Sequence, residues 1–206
     1  MTEREIWNYL LEMTGSEVFT AGLMGNIKAE SAFKANNLQN SFEKKLAYTD
    51  ESYTDAIDNL DYSLEQFMND GAGYGLCQWT YWSRKQGLYM YWYEKHLTTC
   101  SIGDTKMQLD YMLYEMKKKY SSLWNGCKEG FYKSVYQAAR DIMVIYERPA
   151  DQSDKAVQKR ADYAQSYYDL YAGQHSETPA YHDNERWNKL HDLLMEAVNL
   201  LESTNL

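Results

Sequence analysis

Apolar residues recur along this chain mostly at three- and four-residue spacings, the signature of helices rather than strands. Ile6, Tyr9, Leu10 and Met13 form the first stripe, opened by the capping-box pattern Thr2-x-x-Glu5 and closed at Gly15. A second helix is predicted from Ser16 to about Glu30. It carries Ala21, Gly25 and Ala29 four apart, a face small enough for another helix to approach closely. Helical patterns return at about 83–96, 105–119, 132–146 and 153–171, and Gly173 fits the C′ position after the last. Residues 34–72 break the pattern. They are polar, rich in Asn and Asp and without a sustained period, and they run into the tight loop Gly71-Ala72-Gly73-Tyr74-Gly75. Long irregular excursions of this kind inside a domain are usually functional.

Beyond Gly173 the character changes. Residues 174–184 read as a linker, and within 185–203 Trp187, Leu190, Leu194, Ala197 and Leu201 fall on a heptad seam. The expected organisation is a main domain over 1–173, a linker over 174–184 and an amphipathic helix over 185–206. Two heptads are too few to stand alone. The stripe must be covered by the main domain, by a second copy in a homo-oligomer, or by another protein.

Composition narrows the function. The 206 residues are 44% hydrophobic and 25% charged, which is globular rather than disordered, and 206 residues suffice for one sizeable domain with an appendage. With 21 basic against 30 acidic residues the formal charge is −9, so neither a phosphate backbone nor an anionic membrane is an expected partner. Cys77, Cys100 and Cys127 cannot all pair within one chain, lack CxxC or zinc spacing, and read as reduced thiols. The polar start Met1-Thr2-Glu3-Arg4-Glu5 is followed by no apolar h-region, so synthesis in the cytoplasm without a signal peptide is expected. The 20 tyrosines and 6 tryptophans, against 5 phenylalanines, suit cores that reach a surface and also sites that stack on sugars.

Catalytic chemistry has to be sought among acids. The Gly71–Gly75 loop lacks the Lys-Ser/Thr that a phosphate-binding loop needs, no Gly-x-Ser-x-Gly elbow is present, and the four histidines are scattered. No metal and no organic cofactor is implied. Glu30 is placed unusually, at the end of the small-residue helix, where the macrodipole opposes negative charge by about 0.3–1 kcal/mol. Burial beside Phe33 and Trp79 would act in the same direction, favouring the protonated form that a glycosidic general acid requires.

The words around Glu30 are specific in combination. Gly25-Asn26-Ile27-Lys28-Ala29-Glu30-Ser31, then Gly73-Tyr74-Gly75-Leu76-Cys77-Gln78-Trp79-Thr80, then Tyr146-Glu147-Arg148-Pro149-Ala150 with Arg160 and Tyr163-Ala164, together resemble the phage tail lysozyme family. The resemblance spans roughly residues 5–171. The Glu-Ser and Gly-Leu-x-Gln words also resemble lytic transglycosylases, and Asn37-Leu38-Gln39-Asn40 with Glu43-Lys44-Lys45-Leu46 looks like the clostridial phage and prophage branch. The resemblance implies a mainly α, lysozyme-like (α+β) fold around the helix presenting Glu30, with any small sheet confined to 34–80. It implies peptidoglycan as substrate, the cell wall as place of action, a phage endolysin or tail-associated lysin as the setting, and a wall-binding or virion component as the other protein that could cover 185–203. Glu30 would protonate the β-1,4 glycosidic oxygen between N-acetylmuramic acid and N-acetylglucosamine. Ser31, Tyr74, Gln78, Trp79, Glu147 and Tyr163 would orient that acid or line the cleft.

A second carboxylate is not singled out. The excursion alone offers Glu43, Asp50, Glu51, Asp55, Asp58, Asp61, Glu65 and Asp70. A two-acid muramidase, a lytic transglycosylase leaving 1,6-anhydro ends, and a catalytically idle wall-binding or tail structural protein all stay open, as does a helical interaction module with no sugar site.

Overall fold

A computed structural model describes residues 1–174 of the chain; the expected linker from 175 onward and the heptad seam lie outside the described residues. The fold is mainly α. Ten α-helices follow in order among the described residues: α1 Glu3–Thr14, α2 Glu17–Ser31, α3 Asn40–Leu46, α4 Asp50–Asp58, α5 Leu64–Asn69, α6 Trp82–Lys95, α7 Thr105–Lys119, α8 Ser121–Lys128, α9 Val135–Asp141 and α10 Asp154–Tyr171. A π-helical turn, Ile142–Glu147, continues α9.

The first helix begins as its sequence dictates. The Glu5 amide donates to Thr2 Oγ1 at 3.3 Å while the Thr2 amide donates to Glu5 Oε2 at 2.7 Å, and Gly15 ends the helix at φ +72°. Ser16 caps α2 by accepting from the Phe19 amide at 3.2 Å. From Phe19 to Ile27 every residue of α2 is buried. A helix buried all round is a central one, and α9 and α10 pack on it closely because it carries glycines. A Cβ on Gly22 would stand 2.9 Å from Ala138 Cβ, and one on Gly25 2.7 Å from the Ala164 nitrogen and Cβ. Asn26 fastens the α9 crossing, donating from Nδ2 to Gly22 O at 2.9 Å and to Ala139 O at 3.0 Å.

The 34–72 excursion is not irregular throughout. It contains α3, α4 and α5, the last two opened by Thr49 and Ser63 capping boxes. Tyr53, Ile57 and Phe67 bury its inner side. The expected small sheet reduces to two isolated bridges, Leu38 with Tyr74 and Tyr74 with Trp79. The Gly-rich loop is pinned from three sides. The Gly75 amide donates to Asn37 O at 2.9 Å, the Leu76 amide donates to Gln108 Oε1 on α7 at 2.8 Å, and Ser31 Oγ donates to Leu76 O at 2.9 Å. Beneath the loop, buried Lys85 of α6 meets Asp70 at 2.5 Å and donates to Ala72 O at 3.0 Å. Cys77, Cys100 and Cys127 are all free thiols.

Candidate active site

Six chain segments converge on a cavity of about 860 Å³: the end of α2, the start of α3, the Gly-rich loop, the start of α6, the junction of α7 with α8 and the turn that leaves α9. Glu30 stands in its wall, 15% exposed at the side chain, and is ion-paired with Arg160 of α10. The pairing depends on Gly25, one helical turn earlier, whose bare Cα lets the Arg160 backbone lie against α2. Burial pushes the Glu30 carboxyl above the usual carboxylate range, and the Arg160 and Arg84 guanidiniums pull the other way without cancelling it.

Glu147 ends the π-helical turn and lines the same cavity. The Arg148 amide bonds five residues back, to Met143 O at 2.8 Å, and Arg148 itself takes a left-handed φ of +55°. The widened turn brings the Glu147 carboxyl to the cavity wall that Glu30 lines, where the Cys77 thiol hydrogen-bonds it. Burial and the Glu30 charge push the Glu147 carboxyl up to about 8. Its Oε2 is shielded from solvent and met by no hydrogen-bond donor, and the nearby Arg160 Nε is likewise buried without an acceptor. Among the described residues, Glu30 and Glu147 are the carboxylates on the cavity wall. None of the eight acids of the excursion is there. Asp50 instead accepts from the Leu38 amide at 2.8 Å, Asp58 from the Ile102 amide at 2.8 Å, and Asp70 holds Lys85.

Two expected sugar-contacting rings are elsewhere. Tyr74 and Trp79 are fully buried and do not reach the cavity. Their polar edges are used inside the protein: Tyr74 Oη bonds Thr54 Oγ1 at 2.8 Å, and Trp79 Nε1 donates to Glu115 at 3.2 Å. Ser31 is buried as well, and its hydroxyl ties α2 to the Gly-rich loop rather than facing substrate. Tyr163 is half-buried on α10 and lies off the cavity wall, with Lys159 Nζ 5.9 Å from its ring centre. Gln78 does line the cavity, at φ +45°, with Nε2 donating to Asn37 O at 3.0 Å and Gly75 O at 3.1 Å.

The exposed ring at the cavity is Tyr81, 63% exposed and 5.9 Å from the Trp82 ring. Behind it, buried Glu115 of α7 collects Arg84 (Nη2 at 2.9 Å), Trp79 and Tyr146 (Oη at 3.0 Å), while Arg84 Nη1 donates to Tyr146 O at 3.2 Å. This network fixes the π turn against α6, and so fixes where Glu147 stands. Arg84 and Glu115 are functional supports that the sequence motifs do not flag. Four non-glycine residues in left-handed backbone flank the site, Ala32, Phe33, Gln78 and Arg148. Each such conformation costs about 1–3 kcal/mol and persists where surrounding packing enforces it.

The family model for phage tail lysozyme matches residues 1–171. The chain belongs to the phage tail lysozyme family. No curated protein matches the sequence. As a member, this lysozyme-like protein cleaves peptidoglycan, and its match covers every element that builds the cavity. No described helix is long and apolar enough to cross a membrane.

Proposed function

We propose that the protein is a muramidase that cuts the β-1,4 bond between N-acetylmuramic acid and N-acetylglucosamine, with Glu30 as general acid. The observation that carries the reading is a largely buried carboxyl on the wall of a cavity large enough for several sugar rings, with its affinity for a proton raised by that burial. Glu30 gives its proton to the glycosidic oxygen as the C1–O bond breaks through an oxocarbenium-like state. Gln78 borders the sugar path, and Tyr81 offers a ring face for stacking. Water as the acceptor would leave a reducing muramic acid end.

A second reading is favoured by one feature. The carboxylates on the wall are Glu30 and Glu147, and they act on each other, which leaves no independent base to activate water. Attack by the muramoyl 6-hydroxyl would then close a 1,6-anhydro ring, with Glu30 serving as acid and afterwards as base. Glu30→Gln should lower clearing of purified walls by at least about 100-fold while the protein stays folded. Near wild-type clearing would refute the assignment of Glu30. Mass spectrometry of released muropeptides separates the two products, since anhydro ends are lighter by one water.

A further inference from the structure

Glu147 is a poor candidate for a mere wall residue. It is delivered by an uncommon π turn and shares the cavity wall with Glu30, yet no donor reaches its Oε2. A carboxylate with one buried oxygen unmet, and otherwise bonded by the weakly donating Cys77 thiol, is unfavourable, whereas a carboxylic acid in the same place needs only an acceptor. The acceptor at hand is Glu30. We infer that Glu147 is the proton-sharing partner of Glu30, so that one proton is held between the two carboxyls and is available to the glycosidic oxygen through Glu30.

The inference rests on Glu30 being the acid. In the resting cleft the proton lies on Glu147 and is donated in a hydrogen bond to the Glu30 carboxylate, which Arg160 pairs. Transfer across that bond gives neutral Glu30 and anionic Glu147. Glu30 then protonates the leaving oxygen, leaving two carboxylates for a moment. The acceptor hydroxyl, from water or from the sugar, returns a proton to Glu30 as the new C1–O bond forms, and the pair is restored. No proton is gained or lost over the cycle.

The charges around the pair fit this cycle. From α10 Arg160 faces Glu30, and from α6 Arg84 acts on both carboxyls, so the doubly ionised moment is balanced by two guanidiniums. From the Gly-rich loop comes Cys77, whose thiol burial pushes well above its ordinary range, so it remains neutral. The Tyr146 phenol in the turn is held neutral in the same way. Glu115 of α7 is occupied by Arg84 and by Lys119, and Arg148 is an exposed residue of the cavity wall. Burial and the neighbouring Glu30 keep the Glu147 proton in place up to about pH 8.

The test is the pH profile of cleavage of soluble glycan fragments by wild type and Glu147→Gln. Removing the partner leaves Glu30 alone beside Arg160, so its proton is lost at lower pH. The ratio of the rate at pH 8 to that at pH 5 should fall about tenfold relative to wild type, as one pKa unit implies. A structural role would lower both rates by the same factor and leave the ratio unchanged, which overturns the inference. Complete loss at every pH overturns it too, since Glu147 would then be indispensable in its own right. Activity in Glu30→Gln sinks the assignment of Glu30 itself; an inactive Glu30→Gln with an unchanged Glu147→Gln profile sinks only the partnership. Should Glu147→Gln not fold, carbon-13 carboxyl NMR of the wild-type protein decides. Glu30 and Glu147 are expected to titrate together in two shared steps, and two independent single steps would refute the pairing.

Discussion

Replacing Gly25 by alanine tests whether close packing of two helices is what sets the acid. Gly25 sits mid-way along α2 with the α10 backbone directly against it. An added Cβ would fall within the envelope of the Arg160 carbonyl oxygen and stand 2.7 Å from the Ala164 nitrogen and Cβ. Two of these three atoms are backbone, so no side-chain rotation relieves the clash and the helices must part. Overpacking of this sort costs roughly 1–3 kcal/mol, and a backbone-against-backbone clash belongs at the upper end. Alanine returns about 1 kcal/mol through its better helix propensity. The expected net is about 2 kcal/mol of destabilisation, or roughly 4–8 °C in Tm for a domain of this size. Separation of α2 from α10 also draws Arg160 away from Glu30, so wall clearing should fall more than tenfold at temperatures where the variant is still folded. Circular dichroism melts and turbidity assays read the two effects. A Tm equal to or above that of wild type would refute the packing argument. Full activity in a destabilised variant would refute the link from packing to acid.

The sign of the pH dependence follows from Glu147. Its carboxyl keeps a proton in the folded state up to about pH 8, while unfolded glutamate loses it near 4.5, so stability should decline as pH rises between those values. Melts at pH 5 and pH 8 check this, and the decline should flatten in Glu147→Gln. Trp79→Phe removes the Nε1 bond to buried Glu115 and should cost about 2 kcal/mol of stability, whereas Tyr81→Ala should leave Tm within about 1–2 °C and raise KM for glycan fragments several-fold. The opposite pattern in that pair would mean that the indole, not the exposed phenol, contacts sugar.

How much of this was legible varied with what holds each element. α1, α2, α6, α7 and α10 fall within a residue or two of their expected limits, because periodic stripes and local caps specify them. α4 and α5 are too short for a period to show. They exist because Thr49 and Ser63 cap them and because Tyr53, Ile57 and Phe67 find the core, which is a tertiary fact. The helix expected over 132–146 became α9 and a π turn, and no propensity marks that change of pitch. Glu30 was legible from its place at a helix end and its neighbours in sequence. Tyr74 and Trp79 were not, since a ring inside a motif reads the same whether it faces sugar or core. Only the partners of the hydroxyl and the indole nitrogen separate the cases. One compositional signal went unused. The chain has 15 lysines and 6 arginines, and two of the six, Arg84 and Arg160, act on both carboxyls.

Arginine is the physically appropriate choice there. Two carboxyls in one buried wall face a conflict: repulsion favours protonation of one, burial favours protonation of both, and a fully protonated pair could not take a proton back from the acceptor. Lysine could resolve the conflict by losing its own charge on burial, as the depressed Lys85 ammonium beside Asp70 illustrates, brought down to about 8. Guanidinium does not yield its proton, so Arg160 and Arg84 keep their positive charge on the pair whatever the local dielectric. Arg84 is itself clamped by Glu115 and stacked 4.4 Å from the Tyr146 ring, so its charge is fixed in place as well as in sign. The macrodipole of α2 and burial raise Glu30; the two guanidiniums lower it; burial prevails. An acid and a later base on one residue need those opposed influences, and the fold supplies them by crossing α10 over Gly25 and by widening one turn after α9.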